Sequence, residues 1–231
     1  MPRTRPGSVA VEAVVGCAPV ADDQVNVGIV AAVTGNDVLR AAELVEETLE
    51  AHQTADWDVA VPDLDFTVAS VVAHVAAGLL WYSVDLWSGR ADAAFDVAVR
   101  ADAPKDSLVT SMTAAARALA AGIDAAPPDT RGFHPFGSPD PDGFAAMACD
   151  ELLVHGDDAA RGLGAAFTPD RSMAERVLAR LFPWHAVNDD DAWDVLLWAN
   201  GRLELPGREP QRRWRWHTPP LREWDGAPVR A

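Results

Sequence analysis

The chain has 231 residues and a formal net charge of −16, with apolar residues at 49% and charged residues at 23%. That balance is globular and supplies enough apolar material for one ordinary core and a smaller appendage. A surface this acidic repels phosphate backbones, and no basic stripe reverses it, so nucleic acid is excluded as a partner. No run approaches the roughly 18 consecutive apolar residues that span a bilayer, so no membrane is expected. The two cysteines, Cys17 and Cys149, are too few for a disulfide framework, and the expected setting is a reducing cytoplasm.

Residues 1–34 are Val- and Ala-rich with Pro and Gly breaks and read as a tail. Arg3 and Arg5 precede an apolar stretch ending at Cys17, but Glu12 interrupts an already short run, and a secretory leader is not expected. From Asn36 or Asp37 the apolar positions Val38, Ala41, Leu44, Val45 and Leu49 recur at three- and four-residue spacing, which predicts a first helix. After a Pro/Asp-rich turn, Thr67 caps the run VASVVAHVAAGLLWYSVDLWSG, a second helix stopped by Gly89 and apolar around most of its circumference, as a central helix should be. Pro104 opens a third, stopped near Asp124 and the Pro127-Pro128 pair. A loop rich in Gly, Pro and Asp leads to a fourth, GFAAMACDELLVHGDDAARGLG, with Gly162 or Gly164 as its stop.

These features predict an all-α protein: a four-helix bundle over 35–165, then a small C-terminal extension over 166–231. The extension reads as a short helix from Ser172 to Leu181, a second from Asp191 to Ala199, and the alternating segment RRWRWH. There Trp214 and Trp216 share one face and Arg213 and Arg215 the other, as in a strand pair. From Arg202 onward seven arginines stand against four acids, so this segment can dock on the acidic body. An apolar bundle face is also compatible with a homodimer.

On the fourth helix Glu151 and His155 lie one turn apart beside the apolar stripe of Phe144, Met147, Ala148, Leu152 and Ala159, and Asp158 continues their row. A carboxylate directed into a helical core needs a cation or a metal. His74 on the second helix sits on an otherwise apolar face, with Gly78 leaving room beside it. Two imidazoles and one carboxylate from facing helices would make a three-ligand site with an open position, typical of catalytic zinc. On spacing alone, a hydrogen-bonded core histidine and an ordinary surface pair of Glu and His remain the alternative readings.

The segment FTVASVVAHVA resembles the second helix of the DinB-like bundle superfamily, with Phe66, Thr67, Val68, Val71, Val72 and His74 matching its metal-histidine pattern. The segment DELLVHGDDAA is similar to the fourth-helix signature of the mycothiol-dependent maleylpyruvate isomerase branch, with Glu151, His155 and Asp158 in the corresponding places. The resemblance covers residues 36 to 165, and the rest of the chain looks like the short tails of actinobacterial members. The characterised isomerases carry a larger C-terminal domain that helps bind mycothiol.

The resemblance implies zinc, or another divalent metal, on His74, Glu151 and His155. It implies mycothiol or a similar small thiol as co-substrate, and a transferase or isomerase acting on a small electrophile through a metal-bound thiolate. Asp158 would orient a ligand or move protons as a catalytic group. A zinc hydrolase would use the same ligands, and a non-catalytic metal-binding stress protein would keep them without turnover. Cys149 is turned about 200° from Glu151 around the helix and reads as a small core residue. His134, among Phe133, Pro135 and Phe136, reads as loop packing near the mouth of the site, and Trp81, like the other tryptophans, as packing, with a pocket wall one turn beyond Gly78 as its alternative. Arg213 and Arg215 are read as partners of the acidic bundle surface, or as binders of a substrate carboxylate.

Overall fold

The computed structural model describes residues 31–90, 96–188 and 190–229. Most of the N-terminal tail, with Cys17, therefore lies outside the described residues. Among the described residues the chain forms six α-helices and no strand: α1 (Gly35–Glu50), α2 (Val68–Ser88), α3 (Lys105–Ala125), α4 (Pro141–Leu163), α5 (Arg171–Leu181) and α6 (Ala192–Ala199). A 3₁₀ turn lies near the end of the chain at Leu221–Glu223.

The helix ends follow local chemistry. The Asp37 carboxylate accepts from both the backbone N–H and the hydroxyl of Thr34 at 2.9 Å, so Thr34 rather than the expected Asn36 or Asp37 is the cap, and Asp37 lies in the first turn of α1. Thr67 caps α2 as expected: its hydroxyl accepts from the Ser70 N–H at 3.2 Å and the Ser70 hydroxyl oxygen accepts in return from the Thr67 N–H at 2.7 Å. Asp140 caps α4 ahead of Pro141, and Gly164, in the left-handed region at φ +68°, ends it.

α1 and α2 each pack against both α3 and α4, and α4 continues into contact with α5, which packs on α6. At Gly156 a Cβ would come within 2.8 Å of Val45 and Phe167, so glycine is what lets α1 and the chain after α4 approach there. By length and hydropathy α2 would suffice to cross a bilayer, but half of that stretch is buried within the protein.

Two expectations are corrected. The central helix is α4 rather than α2: α4 is buried almost all round from Gly143 to Val154, whereas α2 exposes His74 and Trp87. The reason lies in the C-terminal residues, since α5, Asn200, Trp214 and Trp216 close over the side of α4 that α1 and α2 leave open.

The strand pair is also absent among the described residues. Residues 213–216 alternate in burial, with Trp214 and Trp216 more buried than Arg213 and Arg215, but Arg212 is exposed and His217 buried, and no strand lies beside them among the described residues. Side chains and single backbone bonds hold the segment instead. Arg180 of α5, only 2% exposed, donates to the carbonyls of His217 and Thr218 at 3.0 and 3.1 Å while pairing with Asp140 and Asp142 at the start of α4. The His217 N–H donates to the Leu181 carbonyl at 2.8 Å, and the Trp214 ring packs on Phe182 and Trp216.

Candidate metal centre

His74 and Tyr82 lie eight residues apart on α2, with Gly78 between them on the same face, while Glu151 and His155 sit one turn apart on α4. Packing of the two helices brings these side chains together. His155 Nε2 lies 3.2 Å and His74 Nε2 3.7 Å from the same oxygen, Glu151 Oε2, and the two imidazole rings meet edge to face with centroids 5.0 Å apart. One ligand atom from each of the three residues falls within 4.8 Å of the others.

These distances suit a small cation. Donors about 2.1 Å from a tetrahedral ion sit roughly 3.4 Å from one another, between the two separations found here. Glu151 Oε2 is also buried without a hydrogen-bond partner. A buried, unsatisfied carboxylate oxygen is costly, and a cation bound between the histidines would satisfy it. The site is open at its α2 side: the His74 side chain is 48% exposed, and a Cβ placed on Gly78 would meet nothing within 4 Å.

Every group around this oxygen is held. The Tyr82 hydroxyl donates to Glu151 Oε1 at 3.1 Å, and burial, reinforced by Glu151, keeps its pKa well above the ordinary phenol value. Burial would raise the pKa of Glu151, but the close approach and charge of His155, with His74 and the Tyr82 hydrogen bond, hold the carboxyl below its usual value. Burial lowers the pKa of His74, against the pull of Glu151.

Burial works against protonation of His155 too, but the hydrogen bond to Asp158 and the adjacent Glu151 carboxylate prevail and raise its pKa to about 9. Asp158 lies behind that ring, fully buried, with Oδ2 3.0 Å from His155 Nδ1. A carboxylate there fixes a proton on Nδ1 and directs Nε2 toward Glu151. Asp158 thus touches a candidate ligand rather than the open position, and Arg202 Nε donates to both of its oxygens at 3.1 Å.

Some neighbours were not anticipated. Asp150, Asn200, Arg202, Trp214 and Trp216 join Glu151, Val154 and His155 around a cavity of about 30 Å³ behind the triad. Asp150 is buried, accepts from Asn200 Nδ2 at 2.9 Å and has its pKa raised by burial to about 7. Tyr82 carried a legible signal, the four-residue spacing from His74 through Gly78. Arg202 and Asn200 carried none, because they come from a distant part of the chain.

Other residues fall where packing explains them. His134 stacks among Phe136, Trp216 and Tyr82, its Nδ1 accepting from the Phe136 N–H, and burial lowers its pKa to about 4. Cys149 is buried, and its thiol pKa is pushed up by that burial. Arg215 lies over the Phe136 ring at 5.2 Å. Among the described residues neither Arg213 nor Arg215 forms an ion pair, which corrects the expected pairing with the acidic surface. Arg202, not these two, carries the basic segment onto α4.

An all-helical protein with a half-open His–Glu–His cluster held between two facing helices belongs to the class of helical proteins able to hold a metal ion. The family model for the mycothiol maleylpyruvate isomerase N-terminal domain matches residues 38–160, and the chain is a member of that family. No curated protein and no solved structure matches it.

Proposed function

We propose that this protein is a zinc-dependent, thiol-using transferase or isomerase, built as a DinB-like four-helix bundle with a C-terminal extension and working in the cytoplasm. The observation that carries the reading is the buried, unpartnered Glu151 Oε2 set between two histidine nitrogens at 3.2 and 3.7 Å, in a chain of the mycothiol maleylpyruvate isomerase N-terminal domain family. Two imidazoles and one carboxylate form a donor set suited to zinc and leave one position for an exogenous ligand.

His74, Glu151 and His155 would hold the ion. When bound there, zinc would supply a positive charge that lowers a thiol's pKa from about 8.5, so that thiolate would form at neutral pH. The chain's own groups prepare that position. Tyr82 turns the Glu151 carboxylate by bonding Oε1, and Asp158 holds His155 by Nδ1. Burial keeps His74 neutral and able to donate its lone pair, and the open space at Gly78 admits a small thiol such as mycothiol from the exposed side. The proposed reaction is attack of the thiolate on an electrophilic carbon. The C–S bond forms as the conjugated C=C π pair moves onto the electron-withdrawing group; return of the proton given up by the thiol leaves a conjugate, whereas rotation about the new single bond and expulsion of the thiolate re-form the double bond as the isomer.

The test is elemental analysis of purified protein followed by calorimetric titration of the metal-loaded form with mycothiol. About one zinc per chain and saturable thiol binding support the reading. One zinc without thiol affinity would move it to a hydrolase or a binding protein, and no metal would remove its basis.

A further inference from the structure

Two buried carboxyls flank the candidate ligands on α4: Asp150 precedes Glu151, and Asp158 follows His155 by three residues. One turn meets both. α6 closes with the Gly201 N–H donating to the Trp198 carbonyl at 2.9 Å and the Arg202 N–H to the Leu197 carbonyl at 2.8 Å, while Gly201 adopts φ +70°. This double pairing over a left-handed glycine reverses the chain at a helix end. A Cβ at Gly201 would also lie 2.6 Å from the Gln211 carbonyl oxygen, so glycine is required on two counts.

The reversal directs the residues on either side of Gly201 at α4. Asn200 Nδ2 bonds Asp150 Oδ1 at 2.9 Å and its own Leu196 carbonyl at 3.0 Å. Arg202 bonds both oxygens of Asp158 through Nε and steadies itself on the Asn200 carbonyl through Nη1 at 3.3 Å. The other arginine near Asp158 is a weaker partner: Arg161 Nη1 stands 3.7 Å away, and Nη2 is engaged by Pro62 and Asp63 at the surface. Asp158 is fully buried, so no water competes to orient it, and Arg202 sets the plane of the carboxylate that His155 faces.

We propose that the Asn200–Gly201–Arg202 turn is a positioning device for the metal centre, in which Arg202 fixes Asp158 and thereby the orientation of His155 toward a divalent cation. This rests on the metal reading above and extends it beyond the family-matched residues 38–160. The centre is then completed by the C-terminal part of the chain, through a contact that touches neither the ion nor its open position.

The experiment measures zinc affinity by competition with a chromophoric chelator, and the visible spectrum of the cobalt(II) form, in full-length wild type, Arg202→Met, Arg202→Lys, Asp158→Asn and the double variant Asp158→Asn/Arg202→Met. Loss of such an outer partner weakens metal binding by about ten- to a hundredfold. That loss is expected in Arg202→Met, with a shifted cobalt spectrum and partial recovery in Arg202→Lys. The double variant is expected to bind no more weakly than Asp158→Asn alone, because Arg202 acts through Asp158.

Wild-type affinity and an unchanged spectrum in folded Arg202→Met would overturn the role, as would a double variant whose loss is the product of the two single losses. If Arg202→Met does not fold, the comparison of the double variant with Asp158→Asn decides, since neither strands the buried Asp158 carboxylate: equal affinity supports the role and weaker binding by the double variant overturns it. Failure of the wild type to bind zinc or cobalt would overturn the metal reading and this role together, whereas normal wild-type binding with unaffected variants would overturn the role alone.

Discussion

The Tyr82 hydroxyl donates to Glu151 Oε1 at 3.1 Å across the contact between α2 and α4, and Oε2 of the same carboxylate is left buried between His74 and His155. One hydrogen bond thus decides which carboxylate oxygen faces the histidines. Tyr82→Phe keeps the ring's packing and removes the bond. It should cost about 1 kcal/mol of stability and weaken zinc binding severalfold. Thermal melts with and without zinc separate the two effects, and a variant that loses stability but no affinity would show that Tyr82 does not orient the ligand.

His74 contributes to the site more than to the core, because nearly half of its side chain is exposed. His74→Ala should leave the melting temperature of the metal-free protein within a few degrees of wild type and abolish stoichiometric zinc binding. Glu151→Gln preserves shape and removes charge, and should lose most of the affinity. Retained zinc in either variant, measured by elemental analysis after dialysis, would count against the ligand assignment.

Metal binding should depend on pH in a defined direction. With its pKa raised to about 9, His155 carries a proton on Nε2 at neutral pH that an ion must displace, so apparent affinity should rise up to about tenfold per pH unit between pH 7 and 9. The stability of the metal-free protein should move the opposite way. The folded pKa lies above the ordinary value of 6.5, so the stabilisation from charged His155 is complete below about pH 6.5 and is lost as pH rises through 9. Affinity titrations at three pH values and melts in chelator test both signs.

Asp150 makes a related prediction. Its folded pKa of about 7 exceeds the ordinary 3.8 through burial, so ionisation destabilises the fold progressively from about pH 4 through 7. Asp150→Asn retains an oxygen to accept from Asn200 and cannot ionise. It should melt like wild type at pH 4 and several degrees higher at pH 8, since about 1 kcal/mol is worth 2–4 °C in a chain of this size. Equal melting at both pH values would mean that the carboxyl is charged and compensated in the fold.

Arg180 ties α5, the start of α4 and the final segment together through Asp140, Asp142 and the carbonyls of His217 and Thr218. Arg180→Met strands a carboxylate in a buried setting and should cost about 3–5 kcal/mol. It should also expose the chain near Thr218 to limited proteolysis earlier than the helices. Cleavage at the wild-type rate would show that Trp214 and Trp216 hold the segment by themselves.

The six helices were legible because their signals are local: capping by Thr67, apolar recurrence at three and four residues, and glycine stops such as Gly89 and Gly164, although α4 begins at Pro141, two residues before the expected Gly143, because Asp140 caps it. The proximity of His74, Glu151 and His155 could be anticipated from their places on helix faces and from the family pattern. The buried place of Trp57, in the turn between α1 and α2, was not foreseen, since a turn carries no helical period.

By itself, then, the sequence determined which segments are helical, since helix signals come from residues within a few positions of one another, and with the family pattern it pointed to three side chains that could share a cation. Only the tertiary structure decided that α4 is the enclosed helix, that Asp150 is buried against Asn200, and that Asp158 is paired with Arg202, 44 residues away. Contacts at such separations depend on how the chain returns after α6, where the left-handed turn at Gly201 sets the direction. No periodicity in either partner encodes the meeting, because its geometry belongs to the packing of whole helices.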